Sequence, residues 1–129
     1  MPEPTTTVDV ATVVDTYIDM WNETDPARRA ELIAAAWSDG GAYTDPLLEA
    51  TGTDALSEMV DTVHGQLPGH RFALTSGIDS HHDHHRFGWE LAAADGTVAV
   101  EGVDVAELGP DGRLVRITGF FGDLPERGA

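Results

Sequence analysis

Two turn signals in the last third of the chain constrain its fold more than any other feature. Asp95-Gly96 is a residue pair suited to a two-residue β-hairpin, whose central positions need a positive φ that glycine adopts without strain. That turn would pair Trp89 with Gly102 and Phe87 with Asp104. Gly109-Pro110-Asp111-Gly112 is a second turn, and a four-residue loop there would pair Asp104 with Ile117 and Gly102 with Gly119. The two registers agree with each other. Because side chains alternate along a strand, they put Phe87, Trp89, Leu91, Val100, Gly102, Asp104, Ile117, Gly119 and Phe121 on one face. That face is apolar except for Asp104. The other carries Arg86, Glu90, Glu101, Glu107 and Arg116 mixed with Val103, Val105 and Phe120, the pattern of a surface partly covered by a partner.

The first half of the chain has a different period. Val10, Val13, Val14, Tyr17, Ile18 and Trp21 recur at three- and four-residue steps, the stripe of an amphipathic helix, with Thr7 as its expected N-cap and Asp9 in its first turn. Asp25-Pro26 starts a second helix, with Ala30, Ile33, Ala34 and Trp37 as its inner face and Asp39-Gly40-Gly41 as its stop. A short extended piece, Ala42 to Asp45, ends at Pro46, which disfavours helix at the residue before it. Thr53 would cap a third helix with Leu56, Met59, Val60, Val63 and Leu67 inward and His64 on the same face. Arg71 to Thr75 reads as the first strand of an antiparallel meander. Helices followed by a meander predict an α+β fold with the helices packed on one side of a curled sheet.

A length of 129 residues suits one domain, expected over residues 8–124, with residues 1–7 as a disordered lead-in and 125–129 as a tail. The absence of cysteine removes disulfides, zinc ribbons and thiol nucleophiles. A net charge of −16, with seven Arg and no Lys, repels phosphate backbones and anionic lipid, so neither nucleic acid nor membrane is an expected partner. The first residues have neither the basic start nor the apolar stretch of a secretory signal, so the expected location is cytoplasmic.

Asp104 is the residue that most suggests chemistry. A carboxyl among Phe87, Trp89 and Ile117 is poorly solvated when charged, so its pKa should rise and it can serve as a neutral hydrogen-bond donor. Asp45 stands where the chain leaves a strand, a position that can face a pocket mouth, although Asp-Pro is also a common turn signal. Tyr17 lies in a helix stripe, where a buried phenol hydroxyl still needs a partner. The run His81-His82-Asp83-His84-His85 offers imidazoles, but it adjoins a loop signal at Asp79-Ser80 at the distal start of a strand, so no metal is expected there.

Tyr17-Ile18-Asp19, Tyr43-Thr44-Asp45-Pro46, Gly102-Val103-Asp104-Val105 and the terminal Phe120-Phe121 together resemble the pattern of ketosteroid isomerase and the wider NTF2-like superfamily, which includes SnoaL-like polyketide cyclases and limonene epoxide hydrolase. The resemblance spans nearly the whole chain. It implies a cone in which a curved mixed sheet is covered on its concave side by three helices, a homodimer formed through the outer sheet face, and no cofactor. It further implies Asp45 as general base, with Tyr17 and a protonated Asp104 donating to a developing enolate oxygen. A neutral aspartic acid in that role is a known property of ketosteroid isomerase. The substrate would be a small, largely apolar carbonyl compound lying against Phe87, Trp89, Val100 and Phe121, with His64 as a further polar group. A non-catalytic ligand-binding or association module is the competing expectation, since one fold hosts both. Epoxide opening is less favoured, because neither Arg71 nor Arg86 is clearly inward.

Overall fold

The computed structural model describes residues 9–128, so the lead-in expected over residues 1–7 lies outside the described residues, as does Thr7. Helix α1 spans Val10–Asn22, α2 Pro26–Ala36 and α3 Thr53–Gln66. The strands are β1 (Trp37–Thr44), β2 (Glu49–Thr51), β3 (Arg71–Leu74), β4 (Asp79–His81), β5 (His84–Ala92), β6 (Val98–Leu108) and β7 (Leu114–Phe121). They form a seven-stranded sheet in the order β2-β1-β7-β6-β5-β3, with β4 also on β5. Strands β1 and β7 run parallel and the other pairs are antiparallel, so the sheet is mixed. It curves around the helices without closing, in an NTF2-like α+β cone.

The inner face follows the expected alternation, because Phe87, Trp89, Leu91, Asp104, Ile117 and Gly119 are buried while Arg86, Glu101, Arg116 and Phe120 are exposed. The β5–β6 register is as expected, with Phe87 opposite Asp104 and Trp89 opposite Gly102. Its turn differs. Ala93 N–H donates to the Thr97 carbonyl, which leaves three residues in the loop, and a bulge at Leu91/Ala92 restores the register. The β6–β7 register requires a correction, since Asp104 faces Gly119 and Gly102 faces Phe121. The closing pair is Leu108 with Leu114, one residue wider than a four-residue loop allows, and a bulge between Glu107 and Leu108 adds one more. Two single-residue shifts sum to an even number, so every side chain keeps its face.

The helix boundaries also carry corrections. Asp9 rather than a first-turn residue is the N-cap of α1, its side chain accepting from Ala11 N–H. Helix α3 is preceded by Gly52 at φ 88°, so Thr53 is its first residue and not its cap. Helix α2 buries Arg29, Leu32, Ile33 and Ala36, one position out of phase with the expected face, and Trp37 already belongs to β1. Arg29 explains the phase. Its guanidinium donates to the Glu23 carbonyl, to the Ser57 carbonyl and hydroxyl, and to Asp61, tying the end of α1 to α3 beneath α2. A buried cation is tolerated when its donors are met in this way. The extended piece that ends before Pro46 is longer than expected, beginning at Trp37. The Asp79-Ser80 segment forms β4 rather than a loop.

Candidate active site

Three elements bring the acid–base groups together at the centre of the inner face. Tyr17 on α1 points its hydroxyl at β6 and donates to Asp104 Oδ2 at 2.7 Å. Trp89 on β5 donates its indole N–H to Asp104 Oδ1 at 3.0 Å. Asp104 is 3% exposed, and both its oxygens are engaged by side-chain donors. Glycines make room for this arrangement. A Cβ on Gly102 would lie 2.9 Å from the Trp89 ring and 2.0 Å from the Phe120 carbonyl oxygen, so the indole can lie across this position only because it is glycine. A Cβ on Gly119 would lie 2.8 Å from Asp104 Oδ1 and 3.2 Å from Asp45 Cβ, so Gly119 is the point where the two aspartates approach.

Asp45 follows β1 and closes a tight turn. Its Oδ1 accepts from the N–H groups of Leu47 and Leu48, each at 2.8 Å, and its own N–H donates to the Leu48 carbonyl. Its Oδ2 accepts the Tyr43 hydroxyl at 2.6 Å. A carboxylate offers about four acceptor positions, so these three bonds leave one, on Oδ2. Tyr43 was not among the site residues expected from sequence. The available signal was its i, i+2 spacing to Asp45, which points both side chains to the same side of an extended chain.

Burial pushes the Asp104 carboxyl up to about 7, against the opposing pull of the Tyr17 and Trp89 hydrogen bonds, and the nearby charge of Asp45 pushes in the same direction as burial. Tyr17 is raised well above the usual phenol range, first by burial and then by the charge of Asp104. Tyr43 is raised as well, by burial, by the charge of Asp104 and by its bond to Asp45. Both phenols therefore keep their protons near neutral pH. Asp104 is instead carried into that range by its surroundings.

A cavity of about 300 Å3 opens beside this cluster, lined by Trp21, Tyr43, Asp45, Leu47, Leu48, Val63, Gln66, Leu67, Phe72, Trp89, Leu91, Val100 and Phe121. Of the residues expected to touch a ligand, Trp89, Val100 and Phe121 are on this lining, while Phe87 and His64 are not. Phe87 packs edge-on against Tyr17 in the core, and His64 Nε2–H donates to the Trp21 carbonyl at 2.7 Å. Tyr17 and Asp104 also lie off the lining, with Trp89 bonded to Asp104 and itself part of the wall. Asp45 and Tyr43 are thus the acid–base groups that meet the cavity directly.

The histidine run lies elsewhere, at the β4–β5 turn. His81 and His82 bring their Nδ1 atoms to 3.1 Å and His85 Nδ1 is 2.7 Å from Ser80 Oγ, but among the described residues no group of three or more His, Asp or Glu side chains has metal-site geometry. Arg86 is exposed and pairs with Asp79 at 2.7 Å, away from the carboxylates an epoxide-opening site would require. No described helix is long and apolar enough to cross a membrane.

No family model and no curated protein matches the chain. Solved structures do. The chain is similar to a candidate isomerase of the SnoaL-like family from Agrobacterium tumefaciens, with 34% identity, 88% of this chain and 97% of that one covered, and a TM-score of 0.82. It is similar to an NTF2-like protein of unknown function from Exiguobacterium, with 25% identity over 87% of this chain and 99% of that one, at a TM-score of 0.68. A SnoaL-like protein of unknown function from Burkholderia thailandensis shares the fold, with 18% identity over 93% of this chain and 100% of that one, at a TM-score of 0.68.

Proposed function

Because the chain belongs to the SnoaL-like family within the NTF2-like superfamily, we propose that it is an acid–base enzyme acting on a small, largely apolar carbonyl compound, by double-bond isomerisation or aldol cyclisation, without a cofactor. The observation that carries this reading is the pairing of an apolar cavity with an aspartate whose Oδ2 retains one acceptor position at its edge. Asp45 Oδ2 takes the proton from the carbon beside the carbonyl, and the electrons of that C–H bond move into an enolate. Once Asp45 is neutral its charge no longer fixes the Tyr43 hydroxyl, which is then free to donate to the enolate oxygen. Return of the proton to a different carbon completes an isomerisation. Attack of the enolate on a second carbonyl of the same molecule forms the new carbon–carbon bond, and return of the Asp45 proton to the resulting alkoxide completes a cyclisation.

Tyr17 and Asp104 act from behind the cavity wall in this scheme. A protonated Asp104 adds no negative charge beside the enolate and can supply Tyr17 with a hydrogen bond in the reverse direction, which frees the phenol proton to turn toward the Tyr43 hydroxyl at the cavity edge. Val103 and Phe120, opposite each other on the outer face and 38% and 58% exposed, support a homodimer through that face. Light scattering giving a monomer at micromolar concentration would remove that part of the reading.

The test is turnover of a panel of β,γ-unsaturated ketones. Asp45→Asn, whose amide cannot accept the proton, is expected to lose about 10²- to 10⁴-fold in kcat, and full turnover by this variant would contradict the proposal. A ligand-binding role is the second reading, favoured by the internal satisfaction of both Asp104 oxygens. It predicts that ketones bind to the native protein and to Asp45→Asn alike, with no conversion in either.

A further inference from the structure

The cavity wall is more selective than an apolar ligand alone would require. Five aromatic rings line it, and they follow one another without a break. Ring centroids are 5.5 Å apart for Tyr43 and Trp21, 4.9 Å for Trp21 and Phe72, 5.7 Å for Phe72 and Trp89, and 5.9 Å for Trp89 and Phe121. Their planes are inclined by 42° to 81°, so they form a curved wall and not a stack. Tyr43, Trp21 and Trp89 are nearly inaccessible to solvent and present little surface to the cavity, so its aromatic surface comes chiefly from the half-buried Phe72 and Phe121.

Charge on the lining is one-sided. Asp45 is the one Asp or Glu on the lining, no described Arg or His reaches it, and the chain has no Lys. Aromatic faces carry the negative part of the ring quadrupole and attract cations, an attraction that grows when water is excluded. A wall of this kind beside an unpaired carboxylate repels anions, tolerates neutral molecules and favours a positive charge.

We propose that the ligand of this cavity carries an alkylated ammonium group, held against the half-buried Phe72 and Phe121 rings and within Coulombic reach of Asp45. Alkylation follows from the shortage of acceptors. A primary ammonium brings three N–H donors, whereas Asp45 has one acceptor position left and the one side-chain amide of the lining, Gln66, is exposed to solvent at its rim. A tertiary ammonium brings one donor and a quaternary ammonium none, and their alkyl groups match the Leu and Val side chains of the wall. The inference rests on reading this cavity as the substrate site and narrows the substrate to an amine-bearing carbonyl compound. It does not depend on Asp45 being the base.

The test uses one molecular shape in three charge states: choline, its uncharged isostere with carbon in place of nitrogen, and the tert-butylacetate anion. Each is titrated into the full-length protein and followed by calorimetry and by tryptophan fluorescence, to which Trp21 and Trp89 in the wall are expected to respond. Salt of about 0.15 M screens diffuse attraction to the acidic chain beyond roughly 8 Å. Choline is expected to bind at least about tenfold more tightly than its neutral isostere, and the anion most weakly. Asp45→Asn and Phe72→Leu should each reduce the choline preference several-fold, read as the ratio of choline to isostere affinity within each variant, and Phe72→Leu keeps the test open if the Asp45 variant folds poorly. Equal binding of choline and the isostere overturns the inference and leaves an apolar substrate cavity standing. Failure of all three molecules to bind overturns the inference together with the reading of the cavity on which it rests.

Discussion

Two tyrosines in this protein each donate a hydroxyl to an aspartate, at 2.7 Å between Tyr17 and Asp104 and at 2.6 Å between Tyr43 and Asp45, yet the two pairs have different surroundings. Asp104 lies within β6 beneath α1, and its second donor is the Trp89 indole. Asp45 lies beyond the end of β1, half-buried, and its further donors are two backbone N–H groups of its own turn. In the first pair burial outweighs the hydrogen bonds and favours a protonated acid. In the second the carboxylate is fixed by its turn with one acceptor position open at a cavity. The same two residue types can thus supply a held proton in one place and a proton acceptor in another, and environment decides which.

The sharpest way to break this comparison is through the pH dependence of stability. Unfolded aspartate loses its proton near pH 4, whereas Asp104 in the folded chain keeps its proton up to about 7. Between those values the folded state binds more protons, so its stability falls as pH rises. The Asp104 contribution is most favourable below about pH 4 and is lost once the pH passes about 7. Three pH units at about 1.4 kcal/mol each set a ceiling of ~4 kcal/mol for this effect. It is read as the difference in urea denaturation between the native protein and Asp104→Asn across that range. A constant difference would contradict the assignment.

Removing each carboxyl in turn should separate the pairs next. Asp104→Ala leaves the Trp89 N–H and the Tyr17 hydroxyl without their partner in a dry interior, a loss of about 2–4 kcal/mol. Asp45→Ala releases turn amides that water can reach and leaves one buried hydroxyl, that of Tyr43, without its acceptor, a loss of about 1–2 kcal/mol. Equal losses would mean that the two sites do not differ in the way described. Gly119→Ala acts on both pairs. Its Cβ would press on Asp104 Oδ1 at 2.8 Å and on Asp45 Cβ at 3.2 Å, for about 1–3 kcal/mol of overpacking. Combined with Asp104→Ala the cost should shrink, because the closer of the two clashes is then absent. Full additivity would show that Gly119 does not connect the pairs.

Much of this arrangement was legible in the sequence because strand period and turn chemistry are local. Trp89 opposite Gly102 and Phe87 opposite Asp104 follow from Asp95-Gly96, even though a wider loop and a bulge produce that register in place of a two-residue turn. The β6–β7 offset was not legible, because bulges respond to sheet curvature, which no short window of sequence encodes. The phase of α2 was obscured for a different reason. Arg29 reads as a surface residue until the carbonyls and Asp61 that surround it are assembled from two other segments, the end of α1 and α3. The inner-face residues were identified correctly, but which of them reach the cavity depends on the orientation of one indole. Trp89 turns its N–H onto Asp104, so Asp104 and Tyr17 belong to the buried network while Tyr43 and Asp45 meet the opening.

The most direct test of the account is a carboxyl-carbon NMR titration of Asp104 in the native protein, with Asp104→Asn used to assign the resonance. The account predicts a midpoint near 7, displaced from the ordinary aspartate range by burial, and a further upward displacement in Trp89→Phe, which removes an N–H that favours the ionised form. A midpoint near 4, the value of a freely solvated aspartate, in a folded protein would contradict the central distinction between a buried proton-holding aspartate and an open one.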